Sequence, residues 1–420
     1  SDMAGIDNVR LAIDGARIEA ELAHLGTFTE APAPAVTRVL WTSTDLAGRV
    51  YVRELLEAEG LEIRTDPIGT IYARWLGSDR SLAPVATGSH VDAIPNAGRY
   101  DGCYGVIGAI EAIRGLRRAG FTPRRSIDLI VFASEEPTRF GVGCLGSRLM
   151  TGALTPAAAR AMRDAAGLTL EEARAAAGHR GDLEAVRLPP GTYESFIELH
   201  IEQGPVLERL GIAVGLVTAI AAPTTLRVTV HGEGGHAGAL LMPDRHDALA
   251  AAAEVVLAVE AQARASGAAD TVGTVGQLTV FPGAVNGVPS RVDLSIDVRD
   301  VDGARRDATV GAIRGAIDEI GQRRGVRIAV ETLSDDPPAT MDATLIGVLA
   351  GAAGDAGEAT HRLPSRAYHD SLFMPRVCPT AMLFIPCRDG VSHRPDEFAS
   401  EADMAAGVRV LAHAIARLAA

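Results

Sequence analysis

The chain has 420 residues, more than one compact core usually holds, which points to two domains. Hydrophobic residues make up 47% and charged residues 22%, the balance of a globular protein with a sizeable interior. Aromatics are scarce at 4% and the net charge is −13, so stacked single strands, phosphate backbones and anionic membranes are poor partners, whereas cations are not.

At the start, Ser1-Asp2 before Met3 reads as an expression scar, and no charged-then-apolar signal pattern follows, so a cytoplasmic location is expected. An amphipathic helix is predicted after Asp45 (Leu46, Val50, Leu55, Leu56), then strands at Thr70–Trp75 and Pro84–Thr87. The helical run Val106, Ile107, Ile110, Ile113, Leu116 stops at Gly120, and a buried strand is predicted at Ile127–Phe132. Such alternation predicts an α/β core around a largely parallel sheet. Residues 155–188 are Ala-rich and polar, with Thr169 and Glu172 at capping-box spacing, and read as one or two surface helices. From about residue 213 the texture changes. A half-buried strand (Leu226, Val228, Val230) precedes a helix from Asp244 to about Ala265, then strands at Thr274–Val280 and Arg291–Asp300. A helix at about Gly303–Arg323 and a strand at Val326–Val330 complete a β-α-β-β-α-β order, the split-βαβ, ferredoxin-like pattern. The core texture returns after Pro338, with a strand at Thr380–Ile385. No apolar run approaches the roughly 18 residues of a membrane span. Cys103, Cys144, Cys378 and Cys387 show no C-x-x-C spacing and read as reduced, mostly buried thiols.

Polar clusters fall where predicted strands end, the place where open α/β sheets bind ligands. They are Gly88-Ser89-His90-Val91-Asp92 with Tyr100-Asp101-Gly102, then Ser134-Glu135-Glu136-Pro137, then Glu198–Pro205, and finally Val391–Pro395. Two His-plus-carboxylate sets sharing one carboxylate would suffice for two divalent cations, and a mixed nitrogen and oxygen shell suits Zn²⁺ or Mn²⁺. In Glu135-Glu136, adjacent side chains differ in direction, so one carboxylate can bind metal while the other stays free as a base. Asp92 lies two residues after His90, hence on the same side of an extended segment, placed to hold the second imidazole nitrogen. Singly, a His or an Asp is more often structural than a ligand. It is the joint occurrence at successive strand ends that favours a metal site.

At this point the chain resembles the M20-type metallo-hydrolases, specifically the hydantoinase/carbamoylase amidase branch. The resemblance rests on GSHVDAIPNAGRYDG (88–102), EEPTRFGVGCLGSR (135–148), ELHIEQGPVLE (198–208), HGEGGHAG (231–238) and GVSHRPDEFAS (390–400), and covers nearly the whole chain. It implies a zinc-exopeptidase-like, mixed-sheet α/β catalytic domain (1–212 and 335–420) with an inserted ferredoxin-like α+β lid and dimerisation domain (213–334). It implies two divalent metal ions, Asp101 bridging them, His90 and His200 completing one site, and Glu136 and His393 the other. Glu135 would be general base and later acid, and His236 would stabilise the oxyanion, across a homodimer interface. Asn286 and Arg299 would grip a substrate carboxylate, with Gln203 contributing from the core side. Arg299 lies on the polar face of its strand, alternating with Leu294, Ile296 and Val298, where a guanidinium can take a carboxylate bidentately.

The implied substrate is a small ureido-carboxylate. Departures from the common pattern at Ala239-Leu240-Leu241 and in Ser365-Arg366-Ala367-Tyr368-His369-Asp370 look most like the ureidoglycolate amidohydrolase group. Arg366 and Tyr368 in place of glycines should shrink the pocket and add donors, and His369 is a further substrate-binding candidate. The competing readings are an M20 aminoacylase or dipeptidase and a non-catalytic metal- or ligand-binding relative. EEPTRFG with Asn286 and Arg299 speaks against the first, and retention of Glu135 beside every ligand position against the second.

Overall fold

The computed structural model describes residues 11–420, so the reading of Ser1-Asp2-Met3 lies outside them. They gather into two compact units. One takes the chain up to Thr218, Thr340–Ser365 and His369–Ala420; the other takes Ala219–Ala339 and Arg366–Tyr368.

The first unit is built on a mixed sheet. Thr380–Ile385, Ser195–Ile201, Val85–His90 and Ile127–Phe132 lie side by side and parallel at its centre. Every residue of these strands is buried, as expected of parallel strands covered on both faces. The sheet turns antiparallel towards both edges, at Ile71–Trp75 and Glu62–Thr65 on one side and at Gly215 and Leu216 on the other. That last pairing explains why the unit boundary falls after Thr218 and not at 213: the strand that begins at Val214 is still part of the first sheet. Helices Cys103–Arg118 and Glu401–Ala419 pack on one face. On the other, Phe132, Ile130 and Phe196 meet Leu145, Leu149 and Met150.

Helix Ser43–Ala58 forms, but its inward face differs from the apolar expectation. Val50 is 55% exposed, while Asp45 and Arg49 are buried with Val52 and Leu56. The polar pair earns those places by satisfying main-chain groups: Asp45 accepts the Trp41 N–H at 2.8 Å, and Arg49 donates to the Gly69 carbonyl. Thr169 and Glu172 form the capping box, at the start of Leu170–Ala176.

In the second unit the strands run Val272–Thr274, Arg291–Asp300, Ala222–His231, Arg327–Asp335, all antiparallel, and Leu278–Phe281 also pairs with Arg291–Asp300. Helices Ala248–Ala265 and Gly303–Arg324 cover one face around Val228, Val255, Ile296, Ile313 and Ile317. The single strand expected at Thr274–Val280 is two strands. Between the pairs Thr274↔Asp297 and Leu278↔Leu294 one more residue lies on the outer chain than on its partner, which is a bulge. The helix expected from Asp244 starts at Ala248, because Asp247 caps it with its carboxylate on the N–H groups of Leu249 and Ala250. All four cysteines are buried and free. Among the described residues no helix is long and apolar enough to cross a membrane.

Candidate metal centre

The four central parallel strands deliver the site. His90 is the last residue of Val85–His90, His200 the penultimate residue of Ser195–Ile201, and Glu135-Glu136 follow just beyond Ile127–Phe132. His393 sits in the segment after Thr380–Ile385, and Asp101 lies two residues before the helix that starts at Cys103. Asp101 is the hub. Its Oδ1 lies 3.4 Å from Nε2 of His90 and 3.2 Å from Nε2 of His200, and its Oδ2 lies 3.0 Å from Nε2 of His393. Glu136 Oε1 approaches the same His393 nitrogen at 3.4 Å, and Glu135 Oε2 stands 3.7 Å from His90 Nε2. His90, Asp101 and His200 thus form one cluster of close ligand atoms, and Asp101, Glu136 and His393 another.

The donor chemistry fits divalent cations. Nδ1 of His90 is bonded to the Asp92 carbonyl at 3.0 Å and Nδ1 of His200 to the Ile201 carbonyl at 2.8 Å, which aims both Nε2 lone pairs inward. The Gly102 N–H donates to His200 Nε2 at 3.2 Å, which requires a lone pair there. His90 Nε2 is buried without a hydrogen-bond partner. Gly102, at φ +68, leaves the space before it open: a Cβ there would lie 2.3 Å from that nitrogen. The carboxylates carry charge that burial penalises. Glu135 is pushed well up by burial and then by the charge of Glu136, and Glu136 is pushed up to about 7 by burial and the charge of Asp101. Hydrogen bonds with Asp101 and Glu136 hold His393 up at about 10. Positive charge placed among these groups stabilises both ionised glutamates and displaces the proton from His393.

The hydrogen bond that Asp92 accepts from His90 Nδ1 goes to its main-chain carbonyl, and its carboxylate has a second task. Its carboxylate lies 3.4 Å from His90 Nδ1, and its two oxygens accept the main-chain N–H groups of Glu135 and Glu136 at 3.1 and 3.0 Å, fixing where the glutamate pair points. Gln203 donates from Nε2 to Asp101 Oδ2 at 3.2 Å and to Ser392 at 2.9 Å, so its amide nitrogen serves the hub itself. His369 is 1% exposed and packs edge-on against the His200 ring at 4.5 Å, with Nε2 on the Ser365 hydroxyl at 3.0 Å. It supports His200 from behind. Ser134, Gln203 and His393 all adopt left-handed backbone, a strain that clusters at functional sites.

Sequence reasoning gave no role to Glu198, Asp370 or Glu397. Glu198 accepts the hydroxyls of Ser89 and Ser371 at 2.7 and 2.6 Å, which ties the His90 strand to the loop after His369. With those oxygens engaged, the grouping of Glu198, His200 and His369 does not suit a further cation. Asp370 accepts the Ser147 hydroxyl at 2.6 Å and is pushed up to about 8 by burial and the Glu198 charge. The available signal was a glutamate inside the wholly buried strand Ser195–Ile201, since such a group needs partners.

The remaining expected residues lie in the second unit. His236 pairs with Gly287 in a short two-stranded ribbon, and the Asn286 carbonyl accepts the Ala237 N–H at 2.8 Å, so His236 and Asn286 are neighbours. His236 Nδ1 accepts from Gly238 and Ala239 at 3.0 and 3.2 Å, leaving Nε2 as its outward donor. Arg299 sits near the far end of Arg291–Asp300, bidentate on Asp297 at 2.9 and 3.2 Å and 5.6 Å from the Tyr368 ring centre.

The model of Peptidase family M20/M25/M40 matches residues 86–417. A ureidoglycolate hydrolase of Arabidopsis thaliana is 48% identical over 97% of this chain and 87% of its own length. An N-carbamoyl-L-amino acid amidohydrolase of Geobacillus stearothermophilus is 37% identical over 97% and 99%. Crystal structures of AtUAH in complex with glyoxylate and with (S)-hydroxyglycine superpose with a TM-score of 0.92 at 47% identity, covering 98% of this chain and 99% of theirs. With the matched region holding every ligand candidate from His90 to His393, the chain belongs to Peptidase family M20/M25/M40.

Proposed function

We propose that this chain is a two-metal amidohydrolase that cleaves the ureido C–N bond of a small carboxylic acid, with ureidoglycolate as the preferred substrate. The observation that carries the reading is Asp101, whose two oxygens are divided between the His90–His200 pair and His393, beside a buried Glu135. His90, Asp101 and His200 would hold one cation and Asp101, Glu136 and His393 the other, with Zn²⁺ and Mn²⁺ suiting the donors. Cations bound there would polarise the ureido carbonyl and acidify water.

Glu135 takes a proton from the attacking water as its oxygen bonds to the ureido carbon. The bond to the terminal nitrogen breaks, Glu135 passes its proton to that nitrogen, ammonia leaves, and the residual carbamate sheds CO₂. From ureidoglycolate this leaves hydroxyglycine, an aminol that eliminates ammonia to give glyoxylate. Those two molecules are the ligands bound to AtUAH, which supports the substrate choice.

In this reading the second unit, whose strand order is that of the ferredoxin-like pattern, serves as a lid and dimerisation module. His236 stabilises the oxyanion, and Asn286 and Arg299 take the carboxylate with Gln203. The register argues that two copies share this task. Arg291 pairs opposite His231 and Arg299 opposite Pro223, so Arg299 is about 27 Å along its strand from the end that bears the His236–Asn286 ribbon. A separation of that size supports His236 and Asn286 acting in the site of a partner copy. The free buried thiols suit a reducing, cytoplasmic setting.

The deciding experiment is an ammonia-release screen over ureidoglycolate, allantoate and N-carbamoyl-L-amino acids with Mn²⁺ or Zn²⁺ supplied. Release of free amino acid from acyl or peptide substrates, with no ammonia from any ureido compound, would replace this reading with an aminoacylase or dipeptidase.

A further inference from the structure

Glu397 takes no part in the chemistry above, yet it is only 4% exposed. Its Oε1 accepts the main-chain N–H groups of Tyr100 and Asp101, both at 3.0 Å. Its Oε2 accepts the Ser392 hydroxyl at 2.8 Å. The same hydroxyl accepts from Nε2 of Gln203 at 2.9 Å, and that nitrogen also donates to Asp101 Oδ2 at 3.2 Å. The contacts close a ring: Asp101 main chain, Glu397, Ser392, Gln203, Asp101 carboxylate. Room for it is reserved at Gly98, where a Cβ would stand 2.4 Å from Glu397 Cβ. His393 follows Ser392 directly and is held at φ +58, a conformation that costs about 1–3 kcal/mol unless its surroundings impose it.

We propose that Glu397 is a positioning residue for metal capture: it clamps the loop carrying Asp101 to the loop carrying His393 at the spacing the shared cation requires. The proposal rests on the two-metal reading. A carboxylate acting this way works through its hydrogen bonds, not through its charge. Glutamine in its place can still accept both N–H groups with Oε1, and its Nε2 can donate to the Ser392 hydroxyl oxygen, so that bond persists with its direction reversed.

The test is calorimetric titration of Mn²⁺ into the metal-free full-length protein, as wild type, Glu397→Gln and Glu397→Ala, with the melting temperature of each metal-free form recorded alongside. Expected are two Mn²⁺ per chain in the wild type, near-wild-type affinities in Glu397→Gln, and one of the two affinities weakened about 10- to 100-fold in Glu397→Ala. Undiminished affinity in Glu397→Ala, or a loss in Glu397→Gln as large as in Glu397→Ala, overturns the clamp. Should the alanine variant not fold, Glu397→Asp decides, because it keeps the charge but withdraws the acceptor by one methylene; unchanged affinity there overturns the clamp as well. Failure of the wild type to bind Mn²⁺ would instead strike the two-metal reading itself.

Discussion

Glu135 combines two properties that a proton shuttle needs. It is buried, so water does not compete for its proton, and its affinity for that proton is raised by burial and by Glu136. Glu135→Gln should retain cations and substrate while turnover falls about 10²- to 10⁴-fold, the usual worth of a positioned acid–base group. Steady-state ammonia release with a parallel metal titration checks this; near-normal turnover would remove Glu135 from its role. Residues of this kind were legible in the sequence because they sit in short strings at strand ends. Glu198 and Glu397 were not, although both lie inside strings that stood out. A carboxylate that works through other side chains leaves no spacing to read: the Ser371 that meets Glu198 is 173 positions away.

Elements were most legible where one physical signal dominated. Ile127–Phe132, Arg291–Asp300 and Thr380–Ile385 have the bounds expected of them, because continuous or alternating apolar runs leave no competing register. The helix at Ser43–Ala58 was legible, but its buried face was not, since Asp45 and Arg49 take inward places through main-chain hydrogen bonds that hydrophobicity does not encode. The capping box before Leu170–Ala176 is local chemistry and was legible in full. Thr169→Ala should lower stability by about 0.5–2 kcal/mol and leave turnover unchanged, since the cap serves only its helix. Denaturant unfolding and the ammonia assay check both halves, and a fall in turnover at unchanged stability would contradict it.

For the whole molecule, the metal-free protein should grow less stable as pH rises above about 6.5. Burial holds Asp45 and Asp66 at about 6, burial and the Asp101 charge hold Glu136 at about 7, and hydrogen bonds with Asp101 and Glu136 hold His393 at about 10. Each binds its proton more tightly folded than unfolded, so the stability present at low pH is lost as pH climbs through the folded values. Asp300, His179 and His369 shift the other way: hydrogen bonds from Arg305 and Thr271 outweigh burial and hold Asp300 at about 2, while burial holds His179 at about 4 and His369 well below the usual imidazole range, so these contributions grow with pH and are complete by about pH 6.5. The melting temperature in chelator should therefore fall between about pH 6.5 and pH 8, and added Mn²⁺ should flatten that slope by displacing protons at Glu136 and His393. A metal-free melting temperature that rises over this window would contradict the assignment. The proposed sharing of sites between copies has its own check. His236→Ala and Arg299→Ala proteins, each poorly active, should regain about a quarter of wild-type activity when unfolded and refolded together, because half of the dimers then carry one intact site of two. No gain on mixing would place both residues in the same chain's site.

The clustered side chains run from His90 to His393, 303 positions apart in the chain. No shorter contiguous stretch can assemble them. A fragment that stops before residue 393 keeps Asp101 and Glu136 but lacks the imidazole set against both, so the arrangement exists only in a chain made at least that far and folded back on itself.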